Sequence, residues 1–212
     1  MIGVSVSLWS ANLLNIERDI KMVDSIADKY HLDIMDNHYV NNLLFGVDFV
    51  KAVRGVTQRP IEVHLMVYNA EETIGDYLQA GANIIIIHLD TLKFIDTVIH
   101  RIKSSGCKIG IALRVEEDIK IVLPYLGKID IIVIMGTLIG IKGAAFEEVN
   151  YCKIAELSKL IKNKKLSLEI QVDGGIRYET VPQMVENGAR IITAGSILFN
   201  DIEKFNAWRE NM

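Results

Sequence analysis

Eight short apolar runs, each followed by a stretch with helical spacing, constrain the fold of this chain more than any other feature. They fall at 2–8, 31–36, 61–67, 83–89, 107–114, 129–135, 167–172 and 190–194. Residues 83–89 are a near-continuous Ile run, as expected of a strand buried on both faces. Between the runs the spacing predicts a helix over 13–28, a loop and helix to about 56, and helices over 70–80, 92–105, 116–124 and 149–162. A further helix is expected within Tyr178–Gly188 and a last one over 200–210. Asn12 stands where a helix cap is expected, and Gly81 and Gly106 stand where helices end. Eight strand–helix units are the number that closes an α/β barrel of the (β/α)8 TIM type, a fold that begins at about 200 residues. An open doubly wound sheet normally has a Gly-rich turn after its first strand, where this chain has Trp9-Ser10-Ala11-Asn12.

Composition narrows the function classes. Half of the residues (50%) are hydrophobic, so disorder is not expected. A net charge of −4 with no basic block gives no support for a nucleic-acid partner. The start of the chain lacks a cationic stretch before an apolar one, and the apolar runs are too short to span a bilayer. We therefore expect no signal peptide and no membrane association. Cys107 and Cys152 form no disulfide framework or metal-site spacing, which suits a reduced cytoplasm. With three prolines and no Pro/Gly/Ser-rich linker, residues 1–212 are expected to form a single domain.

In a barrel, function sits at the carboxyl ends of the strands. Side chains alternate along a strand, so His31, Asp33 and Met35 share one face. A His and an Asp on an apolar strand are costly unless paired or bound to a metal. Taken singly, each would be a packed histidine or a capping aspartate. His31, Asp33, His64 and Asp173 instead occupy matching ends of the second, third and seventh runs. Two imidazoles and two carboxylates suit one divalent ion, and Zn, Fe, Mn and Co all remain open. A second cluster, Gly174-Gly175 and Gly195-Ser196, follows the last two strands, where barrels bind phosphate. The Gly140–Gly143 loop is placed to close over the same group.

These segments carry a resemblance. Ser5-Val6-Ser7-Leu8, His31-Leu32-Asp33-Ile34-Met35-Asp36-Asn37-His38-Tyr39-Val40 and Val63-His64-Leu65-Met66 resemble the ribulose-phosphate 3-epimerase family. So do Gly106-Cys107-Lys108, Val172-Asp173-Gly174-Gly175 and Ala194-Gly195-Ser196, so the likeness runs the length of the chain. The resemblance implies a metal-dependent isomerase acting on a small phosphorylated ketose, as a homo-oligomer of at least two subunits. It implies that His31, Asp33, His64 and Asp173 bind the metal, and that Asp33 and Asp173 transfer protons through a metal-stabilised enediolate. It places Ser7 on the substrate and Gly174, Gly175, Gly195 and Ser196 on the phosphate. Gly140 and Gly143 would close over that group, and Met35, Met66 and Met135 would line the pocket. The implied pair is D-ribulose 5-phosphate and D-xylulose 5-phosphate.

The chain departs from the family pattern at three loops. Asn-Pro before a Gly-Phe-Gly-Gly turn is replaced by Thr137-Leu138-Ile139 and Gly140-Ile141-Lys142-Gly143. The fifth strand ends in Arg114-Val115-Glu116 instead of Asn-Pro, and Asn41 stands where a proline is usual. These changes bear on sugar length and loop closure, so D-allulose 6-phosphate stays an alternative substrate. The related decarboxylase and aldolase barrels carry Asp-x-Lys-x-x-Asp on the third strand, which Glu62-Val63-His64-Leu65-Met66 does not match. A non-catalytic phosphosugar-binding barrel would not need both Asp33 and Asp173.

Overall fold

The structure is a computed structural model that describes residues 2–212. In chain order the elements are β1 (Gly3–Ser7), α1 (Ile16–Val23), β2 (Lys29–Asp36), β3 (Leu43–Leu44), α2 (Val47–Val56) and β4 (Ile61–Met66). Next come α3 (Ala70–Gln79), β5 (Ile84–His88), α4 (Ile95–Ser104), β6 (Lys108–Leu113), β7 (Ile131–Met135) and α5 (Val149–Asn163). The chain ends with β8 (Glu169–Asp173), α6 (Val181–Asn187), β9 (Ile191–Ala194), α7 (Ser196–Phe199) and α8 (Ile202–Glu210). Eight parallel strands close a barrel in the order β1-β9-β8-β7-β6-β5-β4-β2, and β2 pairs back onto β1. β3 is a short antiparallel addition to the end of β2, with Leu44 opposite Met35.

Alternation along each strand builds two cores. Outward residues such as Tyr30, Leu32, Val63, Leu65, Ile85, Ile87, Ile132 and Ile134 meet Ile20, Val53, Ile74, Ile102 and Leu157 of the helices. Each such fully buried Leu or Ile contributes about 1.5–3 kcal/mol. Inward residues divide by strand. On β5, β6 and β7 they are Ile84, Ile86, Ala112, Ile131, Val133 and Met135, an apolar cluster, with buried His88 closing the end of β5 on the same face. On β1, β2, β4, β8 and β9 they are mostly polar and buried, Ser5, Lys29, His31, Asp33, Glu62, His64, Gln171 and Thr193, with Met35 and Met66 at the ends of β2 and β4. The Ile-rich runs therefore mark the strands whose inner and outer faces are both apolar, His88 at the end of β5 excepted.

Three local expectations need correction. The helix expected over 116–124 is a pair of single 3₁₀ turns, Ile119–Ile121 and Leu123–Tyr125. The side chains of Glu117 and Asp118 take the backbone N–H groups of Arg114 and Lys120, and Pro124 opens the second turn. α1 begins at Ile16, not near 13. Asn12 caps the preceding turn, accepting from Leu14 N at 3.1 Å, while the Asp19 carboxylate binds Asn12 N at 2.7 Å. β2 starts at Lys29, two residues earlier than expected, which places Lys29 on the inner face with His31.

Candidate active site

Four of the polar inward side chains converge. His31 Nε2 lies 3.1 Å from Asp33 Oδ1 and 3.4 Å from Asp173 Oδ2. His64 Nδ1 lies 3.6 Å from each of the same two oxygens. One ligand atom from each of the four residues lies within 4.8 Å of the other three. β2, β4 and β8 supply them, so the sheet register alone brings together residues 142 positions apart in sequence, as the Lys29–Gln171 bond between the same strands illustrates.

Hydrogen-bond partners assign the ring nitrogens. His31 Nδ1 is 2.6 Å from Glu62 Oε1, so this nitrogen donates and Nε2 faces the two aspartates. His64 Nε2 is 2.9 Å from His88 Nε2. His64 Nδ1 is buried and aimed at the carboxylates, but it has no hydrogen-bond partner, since 3.6 Å is too long. Burial, with His64 and Arg114 nearby, pushes the His88 pKa well down, which keeps that ring neutral as an acceptor. Burial works against charge on His31, but Asp33 and Asp173 raise its pKa well above the ordinary imidazole value. Burial likewise opposes ionisation of Asp33, yet His31 and His64 hold its carboxyl far below the usual range.

This donor set fits a divalent ion. Each imidazole presents one nitrogen to the carboxylates while its other nitrogen is occupied, the arrangement that fixes metal-binding histidines. The buried ammonium of Lys29 is paired with Glu62, which leaves the two imidazoles beside the Asp33 and Asp173 carboxylates.

A cavity opens above the four residues. Ser7, Asp33, Met66, Met135, Gly140, Gly143, Asp173, Gly174, Gly175, Gly195 and Ser196 all line it. His31 and His64 lie beneath it, with no exposed surface. Met35 is not on its wall. It packs with Met66 and Val40, and its β3 partner Leu44 joins the same cluster. Ser7 Oγ donates to Asp33 Oδ2 at 3.1 Å, which leaves Asp33 Oδ1 for the histidines. The backbone requires Gly175 whatever the cavity holds: its φ is +69°, and a Cβ there would sit 2.6 Å from Phe146 Cα. Gly136 is equally constrained, with a Cβ falling 2.2 Å from the Gly174 carbonyl oxygen.

Sequence reasoning missed several residues of this site. Trp9, Ser10, Thr137 and Arg177 also line the cavity, and His88 supports His64. Lys142 reaches the cavity wall, where its Nζ binds the Trp9 carbonyl at 2.7 Å. Beneath the four residues, Lys29, Glu62 and Gln171 form a buried network whose signal was parity: 29 precedes 31, 62 precedes 64 and 171 precedes 173 by one strand repeat.

Fold and site together define a barrel enzyme with a two-histidine, two-aspartate centre under a glycine-walled cavity. Comparison with known proteins gives the family. A family model described as the ribulose-phosphate 3 epimerase family matches residues 3–199. The chain is 33% identical over 212 residues to ribulose-phosphate 3-epimerase of Bacillus subtilis (strain 168), covering 99% of this chain and 98% of that protein. It is 33% identical over 199 residues to the chloroplastic ribulose-5-phosphate-3-epimerase of Arabidopsis thaliana, covering 92% of this chain and 71% of that one. A tryptophan synthase alpha-subunit from Pyrococcus furiosus shares the fold, with a TM-score of 0.69 at 13% identity, covering 96% of this chain and 92% of that one. The chain belongs to the ribulose-phosphate 3-epimerase family and is an isomerase of carbohydrate metabolism. Among the described residues no helix is long and apolar enough to cross a membrane.

Proposed function

We propose that this chain is a divalent-metal-dependent ketose-phosphate 3-epimerase that interconverts D-ribulose 5-phosphate and D-xylulose 5-phosphate. The observation that carries the metal dependence is the partnerless His64 Nδ1, aimed with His31 Nε2 at Asp33 and Asp173. His31, Asp33, His64 and Asp173 hold the ion, which when bound supplies Lewis-acid stabilisation of negative charge on the substrate oxygens. The protein groups move the proton. One aspartate takes the proton from carbon 3, and the C–H electron pair passes into the adjacent carbonyl to give an enediolate. The other aspartate, on the opposite face, returns a proton to carbon 3 and inverts it. Their surroundings differ: Asp33 is buried and held by Ser7 Oγ, whereas Asp173 is the more exposed to the cavity. That difference supports distinct roles for the two acids.

Gly174, Gly175, Gly195 and Ser196 hold the phosphate through backbone N–H groups, and the Gly140–Gly143 loop closes over it. Lys142 and Arg177 line the cavity and make no ion pair with any described carboxylate, so both are free to face a dianion. Residues 1–212 act as one barrel unit in a cytoplasmic homo-oligomer of at least two subunits. The altered loop after β7 favours keeping D-allulose 6-phosphate as a second substrate to test.

Proton NMR in D₂O of protein loaded with one divalent ion tests this reading with each sugar in turn. The expected result is deuterium entry at carbon 3 with growth of the epimer, faster for the pentulose. Absence of exchange with both sugars, in protein that holds the ion, overturns the assignment.

A further inference from the structure

We infer that Glu62 is a positioning residue that orients and strengthens His31 as a metal ligand, and that Lys29 keeps Glu62 able to do so. This inference rests on the metal reading above. Glu62 is fully buried on the inner face of β4, one strand repeat below His64. Its Oε1 accepts from Ser5 Oγ at 2.9 Å and Gln171 Nε2 at 2.7 Å, and it lies 2.6 Å from His31 Nδ1. Its Oε2 faces Lys29 Nζ, which also donates to Gln171 Oε1 at 2.7 Å. Gln171 Nε2 is held in turn by Thr193 Oγ1 at 2.9 Å. All six residues are buried, and every polar atom of Glu62, Lys29 and Gln171 that faces this network has a partner in it.

Stability alone does not account for such a floor. Taking a carboxylate and an ammonium out of water costs more than packing apolar side chains in the same volume. The same barrel demonstrates the apolar solution on its other side, where Ile84, Ile86, Ile131 and Val133 fill the interior. What the ionic floor adds is direction. An imidazole can present either nitrogen to a metal, and the contact at its other nitrogen decides which. Glu62 takes His31 Nδ1 from below, so Nε2 is the nitrogen left to face Asp33 and Asp173. A neutral acceptor would fix the ring equally well. A carboxylate also makes the metal-facing nitrogen more basic, and removing such a partner typically weakens metal binding about 10–100-fold. Lys29 lets that carboxylate persist within the barrel, and Gln171 and Ser5 fix the oxygen that meets the ring.

Glu62→Gln keeps the size and leaves an acceptor for His31 while removing the charge. Zn²⁺ affinity is measured by competition with a chromogenic chelator, and the Co²⁺ form gives a visible spectrum that reports the ligand set. Urea unfolding of the metal-free proteins reads any purely structural effect separately. The expected result is one ion bound by the parent, with Zn²⁺ affinity about 10–100-fold weaker in Glu62→Gln and a shifted Co²⁺ band. Equal affinity and an unchanged spectrum, whatever happens to stability, overturn the inference while leaving the metal centre standing. A parent that binds no divalent ion overturns both. Ring-nitrogen NMR of the Zn²⁺-loaded parent needs no variant to fold: His31 should carry its proton on Nδ1 and be bound through Nε2. An Nδ1 without a proton refutes the role given to Glu62.

Discussion

On the proposed two-acid mechanism, Asn substitution at Asp33 and Asp173 separates the two proton transfers. In the native site Asp33 Oδ2 accepts from Ser7 Oγ and Oδ1 faces His31, and an Asn carbonyl oxygen can keep the first contact. Asn keeps the shape in both cases and removes the basic carboxylate. Positioned acid–base groups typically contribute about 10²–10⁴-fold, so a thousandfold loss of epimerisation, about 4 kcal/mol of barrel-held barrier lowering, is the central expectation for each variant. The more telling readout is isotopic. With one acid gone, the other can still take a proton from one epimer and return a deuteron to the same face. Each variant should therefore exchange carbon 3 of one sugar epimer with D₂O without inverting it, and the two variants should prefer opposite epimers. Bound metal is measured in both, since the same aspartates are proposed ligands. Near-parent epimerisation in either variant refutes the two-acid mechanism, as does exchange of the same epimer in both.

Three further outcomes follow from particular contacts. Gly175→Ala adds a Cβ 2.6 Å from Phe146 Cα at a φ of +69°. Together these should cost about 2–5 kcal/mol and lower the thermal midpoint by about 5–15 °C in a calorimetric scan; a midpoint within a degree of the parent would refute the account. Lys142→Ala removes an exposed cation on the cavity wall that is bound to the Trp9 carbonyl. It should raise KM several-fold and cost about 0.5–1.5 kcal/mol of stability, the size of the single bond lost, and an unchanged KM would show that this lysine does not meet the substrate. Burial opposes ionisation of Asp36, but the backbone N–H groups of Tyr68, Tyr39 and His38 hold its carboxyl below the ordinary value. Its pKa is lower folded than unfolded, so its stabilisation is complete above the ordinary carboxylate value and is lost as pH falls through the depressed one. Urea titrations should show the gap between parent and Asp36→Asn closing over that acidic window, and a gap independent of pH would contradict the assignment.

The barrel was legible because eight strand–helix repeats leave few closed alternatives, and because Gly81 and Gly106 do end their helices in left-handed conformation. The four converging residues were legible because they sit at strand ends on one parity. Glu62, Lys29 and Gln171 share that parity but lie one repeat deeper. Which residues share a layer depends on the stagger between strands, here Ser5 opposite Lys29 and His31 opposite Glu62, and no local pattern encodes it. Met35 was misplaced for a related reason. Its parity is right, but the two-residue strand Leu43–Leu44 and the Val40 side chain cover it, and a strand that short leaves no periodic trace. The helix expected over 116–124 failed because Glu117 and Asp118 side chains compete for backbone N–H groups, an effect that apolar spacing does not register.

The loop after β7 shows how this chain manages without the stiffening proline that the family resemblance leads one to expect. A proline in a loop stabilises by about 0.4–1 kcal/mol, chiefly by restricting the unfolded chain. Here contacts from three other loops take its place. Ile139 packs on Val40 and Met66, and Asn42 Nδ2 donates to the Gly140 carbonyl at 3.3 Å. Lys142 Nζ binds the Trp9 carbonyl, and Arg177 Nη2 donates to the Gly143 carbonyl at 3.3 Å. A single hydrogen bond typically contributes about 0.5–1.5 kcal/mol net, so any one of these matches the proline in size. They differ from it in kind. A proline acts within its own stretch of chain, whereas these bonds tie the loop to other parts of the barrel rim. The loop is thus held by Trp9, Asn42 and Arg177, which follow β1, β2 and β8, the strands that also supply Ser7, Asp33 and Asp173. The position of this loop and the alignment of Asp33 and Asp173 are therefore built on the same three strands.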